Sequence, residues 1–122
     1  MRRGRKSTGG KYKKARKKRL HELARQPRLV KFGKEKRKIL RVRSGKGKVV
    51  LLSADVANVF DTKTKKAEKV KIKAVIETPA NRFLARRSIM TKGTIIETEK
   101  GKARITNRPG QEGSVQAVLI QD

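Results

Sequence analysis

The sequence predicts an all-β fold, a small six-stranded, antiparallel-rich barrel that carries a long basic N-terminal extension. Three observations predict it. From about Arg37 onward apolar residues alternate with polar ones at period two, the pattern of half-buried strands. Turn signals interrupt that pattern roughly every 8–12 residues, the spacing of a small barrel or sandwich. The charge is also split: residues 1–48 hold 22 Lys or Arg against Glu22 and Glu35, a net of +20, whereas residues 49–122 hold 14 against 8, a net of +6. The division that follows is a basic extension over residues 1–36 and a barrel over residues 37–122.

Taken in chain order, Met1 to Arg19 reads MRRGRKSTGGKYKKARKKR, with no apolar spacing able to bury anything. Alone in water it is expected to be disordered, because chain entropy and self-repulsion meet no opposing term. The overlapping run KKARKKRLHELAR holds good helix formers, with Ala15, Leu20, Leu23 and Ala24. It predicts a short helix once phosphates neutralise its cations, ended by Pro27 at about Gln26. RLVKFG at 28–33 falls within the extension.

KILRVR then sets Leu40 and Val42 against Arg41 and Arg43. SGKGK, Ser44 to Lys48, is a turn, and Val49 to Leu52 is a continuous apolar run, as in a strand covered on both faces. Ala54 to Phe60 is the next strand, and DTKTKK, Asp61 to Lys66, the turn after it. EKVKIKAVIET places Val70, Ile72, Ala74 and Ile76 on one face and Lys69, Lys71 and Lys73 on the other. At PANRFLARR the alternation lapses into a basic loop or one helical turn. Strands resume at Ser88 to Met90, TIIETE and KARITN, the last two joined by a hairpin near Lys100 and Gly101. RPGQEG is a Pro-Gly turn and SVQAVLI the closing strand. The expected core is Leu40, Val42, Val49, Leu51, Val56, Val59, Val70, Ile72, Ile76, Ile95, Ile105, Val115, Val118 and Ile120.

Composition removes several function classes. With 122 residues, 34% apolar, and four aromatics (Tyr12, Phe32, Phe60, Phe83), the chain has one small core and no room for a two-domain enzyme. No apolar run approaches the roughly 18 residues of a membrane span, and no apolar h-region follows the basic N-terminus, so an interior location is expected. The absence of Cys removes disulfides, zinc ribbons and thiol chemistry. His21 is the single His and has no ligand partner. Glu97 and Glu99 share one face of a strand, and with Asp55 they read as surface charges beside Lys and Arg. GRKSTGGK, Gly4 to Lys11, follows no strand and lacks the spacing of a nucleotide loop; it reads as a flexible phosphate-tracking arm. No catalytic residue, metal, cofactor or small-molecule substrate is expected, and no membrane partner.

A net of +20 over 48 residues costs heavily in self-repulsion unless a polyanion offsets it, and nucleic acid is the usual one. So few aromatics argue against base stacking as the main mode, leaving phosphate contacts and shape. Arg41 and Arg43 on one strand, Lys69, Lys71 and Lys73 on another, and Arg82, Arg86 and Arg87 in the loop extend the cationic surface onto the folded part. Residue types alone leave RNA and DNA both open.

GRKSTGGKYKKARKKR at the start, LLSADVANV at 51–59, PANRF at 79–83, MTKG at 90–93 and TIIETEKGKARITNRPGQEGSVQAVLI to the end closely resemble small ribosomal subunit protein eight of the archaeal and eukaryotic (e) type. The match runs over nearly the whole chain. The chain lacks the large insertion of eukaryotic members between the PANR region and the RPGQ turn, and so looks like the short archaeal form. The resemblance implies a six-stranded barrel, an N-terminal extension along small-subunit ribosomal RNA, no catalysis, and a part in subunit assembly. It also implies neighbouring ribosomal proteins as partners and a cytoplasmic location in the ribosome. The family's RNA-facing positions fall on Gly4 to Gly10, Lys11 to Arg19, Asn81, Arg82, and Asn107 to Gln111. Together with the charge reading, the expected RNA-binding residues are Arg2, Arg3, Arg5, Lys6, Lys11, Lys13, Lys14, Arg16, Lys17, Lys18, Arg19, Arg41, Arg43, Asn81, Arg82, Arg86, Arg87, Lys92, Asn107, Arg108 and Gln111. A transient ribosome-assembly factor and a general chromatin-type DNA binder are the competing classes.

Overall fold

The computed structural model describes residues 4–13, 16–24 and 26–120. After a 3-10 turn, Leu20–Glu22, come β1 (Val30–Phe32), β2 (Lys36–Arg41), β3 (Gly47–Ala54), β4 (Val56–Asp61), β5 (Lys66–Glu77), α1 (Arg82–Arg86), β6 (Ile89–Met90), β7 (Ile95–Thr98), β8 (Gly101–Ile105) and β9 (Gln116–Leu119). The all-β expectation holds. The strand count does not: five strands, in the order β4-β5-β7-β8-β9, close the barrel, and β2-β3-β1-β6 form a separate four-stranded sheet. Asp55 is where the chain changes sheet, because it alone separates β3 from β4. Its carbonyl accepts from Ile72 N–H at 2.8 Å, so the crossing is tied to the barrel wall.

Local chemistry sets the hairpins. Between β4 and β5 the Asp61 carboxylate accepts from Lys63 N–H and the Thr64 hydroxyl, both at 2.9 Å, and holds a tight turn. Between β7 and β8 the Thr98 hydroxyl donates to Gly101 O at 2.7 Å, and Gly101 sits at φ +120, which only glycine adopts freely. Barrel closure comes from the parallel pair β4–β9, with Asn58 opposite Gln116 and Phe60 opposite Val118.

One core serves both sheets. Val30, Leu51, Ala54 and Met90 from the sheet pack with Ala57, Val59, Val70, Ile72, Ile96, Ala103, Ile105, Val115 and Ala117 from the barrel. Two expected core positions are corrected. Register shifts between Ile72 and Ala74 and between Val75 and Glu77 turn β5 over. Val75 then packs on the core, while Ile76, expected inside, is 45% exposed. Val49 is 39% exposed, and its neighbours Val50 and Leu51 are the buried pair of β3. Both of those consecutive residues are covered, as the apolar run predicted.

The expected helix near residue 20 is a single 3-10 turn. Leu20 and Leu23 are exposed, so no packed face offsets the cost of helix nucleation. Val30–Phe32, in the segment read as extension, is a strand: Lys31 pairs in parallel with Ser53 and antiparallel with Ile89.

Candidate nucleic-acid interface

Three segments distant in sequence converge on a groove of about 320 Å³: Pro27 and Arg28, Ala80 with Met90 to Lys92, and Arg108 to Gln111. The turn of RPGQEG is closed by Arg108 O, which accepts from Gln111 N–H at 2.9 Å and Glu112 N–H at 3.1 Å. Leu51 N–H in turn donates to Pro109 O at 3.3 Å, fixing the turn on β3. Arg28 donates to Gly110 O at 3.3 Å, and a Cβ on Gly110 would lie 2.9 Å from the Arg28 carbonyl oxygen. The two backbones therefore meet at a separation that only glycine permits here. Arg28, Lys92 and Arg108 line this groove, and no carboxylate does.

From Ala80 in the groove wall the chain passes through Asn81 into α1. Asn81 caps that helix, its side-chain oxygen accepting from Phe83 N–H at 2.9 Å. Arg82 stacks on the Phe83 ring, 5.2 Å from its centroid, and Arg86 and Arg87 are exposed. Of the loop named in the sequence, Ala80 lines the groove with the RPGQ turn, whereas Arg82, Arg86 and Arg87 do not line it. Arg41 and Arg43 are exposed but do not line the groove; they flank the β2–β3 turn, where Val42 N–H donates to Lys46 O at 3.0 Å.

Two expected contact residues carry structural bonds. Asn107 donates to Ser114 O at 2.7 Å and to Glu112 at 2.9 Å, and accepts from Gln116 N–H at 3.1 Å. Gln111 accepts from the Lys48 ammonium at 2.6 Å. Sequence reasoning missed Arg28 and Lys48. No local signal marks either, because their partners lie 82 and 63 residues away.

In the N-terminal segment Arg5 and Lys11 pair across a turn closed by Lys6 N–H to Gly10 O at 2.9 Å, with the Arg5 guanidinium on Gly9 O at 3.0 Å. The Lys6 ammonium sits 5.9 Å from the Tyr12 ring centroid. Arg16 pairs with Glu22 at 2.9 Å, and Arg19 N–H donates to the same carboxylate at 2.9 Å. The Arg16 guanidinium and the Arg19 N–H together hold the Glu22 carboxyl below the usual carboxylate range. Lys11, Lys13, Lys17 and Lys18 are exposed. Arg2, Arg3 and Lys14 lie outside the described residues.

A smaller cavity of about 200 Å³ at the junction of sheet and barrel is lined by Glu35, Arg37, Asp55, Asn58 and Lys69 among others. Its charges are of both signs, and Arg37 pairs with Glu35, so it has no net pull on a polyanion. Among the described residues no group of three or more His, Cys, Asp or Glu gathers as a metal site. No helix of the structure is long and apolar enough to cross a membrane.

The family model described as Ribosomal protein S8e matches residues 1–120. The chain is 50% identical over 116 residues to small ribosomal subunit protein eS8 of Methanocella arvoryzae, covering 95% of this chain and 93% of that protein. It is 49% identical over 117 residues to the protein of that name from Methanocorpusculum labreanum, covering 96% and 94%. With the one from Sulfolobus acidocaldarius it shares 48% over 119 residues, covering 97% and 93%. A match that spans the arm, both sheets and the groove at this identity places the chain in the ribosomal protein S8e family.

Proposed function

We propose that the chain is a structural constituent of the small ribosomal subunit, without catalytic activity, that binds small-subunit ribosomal RNA through phosphate contacts and supports subunit assembly and translation. The observation that carries this reading is the groove built from three distant segments, with Arg28, Lys92 and Arg108 in its walls and no carboxylate. Its relatives bear the name of a small-subunit ribosomal protein. The barrel is the rigid body. Residues 1–36 are the extension, running along the RNA through Arg2, Arg3, Arg5, Lys6 and the Lys11 to Arg19 run, and tied to the body by β1. Arg82, Arg86, Arg87, Lys92 and Arg108 hold phosphates on the folded face, Arg41 and Arg43 add contacts at the β2–β3 turn, and neighbouring ribosomal proteins complete the surroundings. Its place is the cytoplasm, within the ribosome.

The test is cross-linking in small subunits purified from the source cells and washed at high salt, with linked nucleotides and residues read by sequencing and mass spectrometry. Links from Lys11 to Arg19 and from Arg82 to Arg87 to defined rRNA positions are expected. Loss of the protein in the wash without rRNA links overturns the reading in favour of a transient assembly factor.

A further inference from the structure

We infer that the exposed ring of Phe83 is a stacking platform for one unpaired nucleobase, with Arg82 clamped on its other face. This rests on the RNA-binding reading above and adds to it, since phosphate contacts alone need no aromatic ring. Phe83 is 58% exposed, while its helix neighbours Leu84 and Ala85 are the half-buried residues of α1. The ring therefore plays no part in the core. Its position is nevertheless fixed: Asn81 holds Phe83 N–H at 2.9 Å, and Leu84 N–H donates to Asn81 O at 3.0 Å. The Arg82 guanidinium lies over the ring, 5.2 Å from its centroid, and the residue keeps 58% of its surface exposed.

The surroundings select the occupant. Between Glu77 and Glu97 the chain has no acid but carries Arg82, Arg86, Arg87 and Lys92. An apolar protein partner would have to bury those cations unpaired, whereas a nucleotide supplies a flat π-face for the ring and phosphates for the cations. Tyr12 repeats the arrangement, 54% exposed with Lys6 over its ring. Phe32 and Phe60 are less exposed, at 37% and 39%, and among the described residues neither has a cation over it.

The test compares the full chain with its Phe83→Leu and Phe83→Trp variants on two probes, a single-stranded oligoadenylate and an abasic oligonucleotide of equal length that keeps the phosphates. Phe83→Leu is expected to lose about 5–150-fold on oligoadenylate, with the abasic probe and the salt slope unchanged. The parent chain has no Trp, so the indole of Phe83→Trp reports from this position alone. That variant should keep its affinity and have its fluorescence quenched by oligoadenylate but not by the abasic probe. Equal affinity of Phe83→Leu and the parent for oligoadenylate, or equal losses on both probes, would overturn the stacking role while leaving phosphate binding intact. Indole fluorescence of Phe83→Trp that neither probe quenches, or that only an acidic peptide quenches, would overturn it too. A parent chain that binds neither probe removes the RNA reading itself, and this inference with it.

Discussion

Removing four cations together, Lys92→Gln and Arg108→Gln in the groove and Arg86→Gln and Arg87→Gln at the end of α1, tests whether this cationic surface meets phosphates. All four are exposed, and none makes a side-chain hydrogen bond or ion pair among the described residues. The substitutions should therefore change folding stability by less than about 0.5 kcal/mol each. Each phosphate contact contributes about 0.7–0.9 to the slope of log affinity against log salt, so four contacts contribute about 2.8–3.6. Between 50 and 200 mM salt, a fourfold change, the parent should lose about 50–150-fold more affinity for small-subunit rRNA than the variant. If the whole interface neutralises on the order of ten phosphates, the parent slope itself should be about −7 to −9. Filter binding across a salt series reads both quantities. A parent slope shallower than about −3 would remove the electrostatic basis of the proposal, and a slope difference below about 1 would refute the assignment of phosphates to this face.

Four further outcomes are expected. Gly110→Ala puts a methyl 2.9 Å from the Arg28 carbonyl oxygen and should cost about 1–3 kcal/mol of stability by thermal melting. Ile96→Ala, at a site with no exposure, should cost about 2–5 kcal/mol, whereas Ile76→Ala should cost under about 1; equal losses would deny the face change in β5. Asn107→Ala removes the partner of the exposed Gln116 N–H and the part-buried Ser114 O and should cost about 0.5–1.5 kcal/mol, with the rRNA salt slope unchanged by contrast with the cation variants. Glu22 and Asp61 should titrate below the usual carboxylate range by carboxyl-detected NMR, Asp61 because Lys63 N–H and then the Thr64 hydroxyl bond its ionised form. Since folding lowers both pKa values, the turns these groups hold are fully supported above the ordinary carboxylate pKa and lose that support as pH falls through the lowered ones. Persistence of the Arg16–Glu22 turn well below that range would contradict this.

The strands were legible because alternation is a local signal. Lys66–Glu77, Ile95–Thr98 and Gly101–Ile105 lie where the period-two runs put them, and the β7–β8 turn falls at Glu99 and Lys100, within one residue of the expected place. Which sheet each strand joins was not legible. A period of two says that a strand has a covered face, without saying what covers it, and Asp55 gives no hint that the chain changes sheet there. The parallel closure of Asn58 on Gln116 couples residues far apart in sequence. The two register shifts in β5 were invisible for the same reason: nothing in KAVIE says that Val75 and Ile76 trade faces. In β1 only Val30 is buried, so three residues offered too short a run to find. At the interface the charge was plain, but its assembly depended on Arg28 meeting Gly110 across 82 residues.

That contact explains why a chain with so basic an arm also needs a folded body. Cations on an unfolded chain would match any polyanion, because they follow phosphates wherever those lie. The groove is different. Arg28, Lys92 and Arg108 are near one another only because Gly110 admits the Arg28 backbone, Leu51 anchors Pro109, and Asn107 braces the turn against Ser114 and Gln116. Asn81 does the same for Arg82 by capping α1. The asparagines placed among the RNA contacts by resemblance are thus the residues that hold their cationic neighbours in position. On the proposed reading, the arm supplies affinity and the braced turn and helix supply the fixed spacing of charges that distinguishes one folded RNA surface from another.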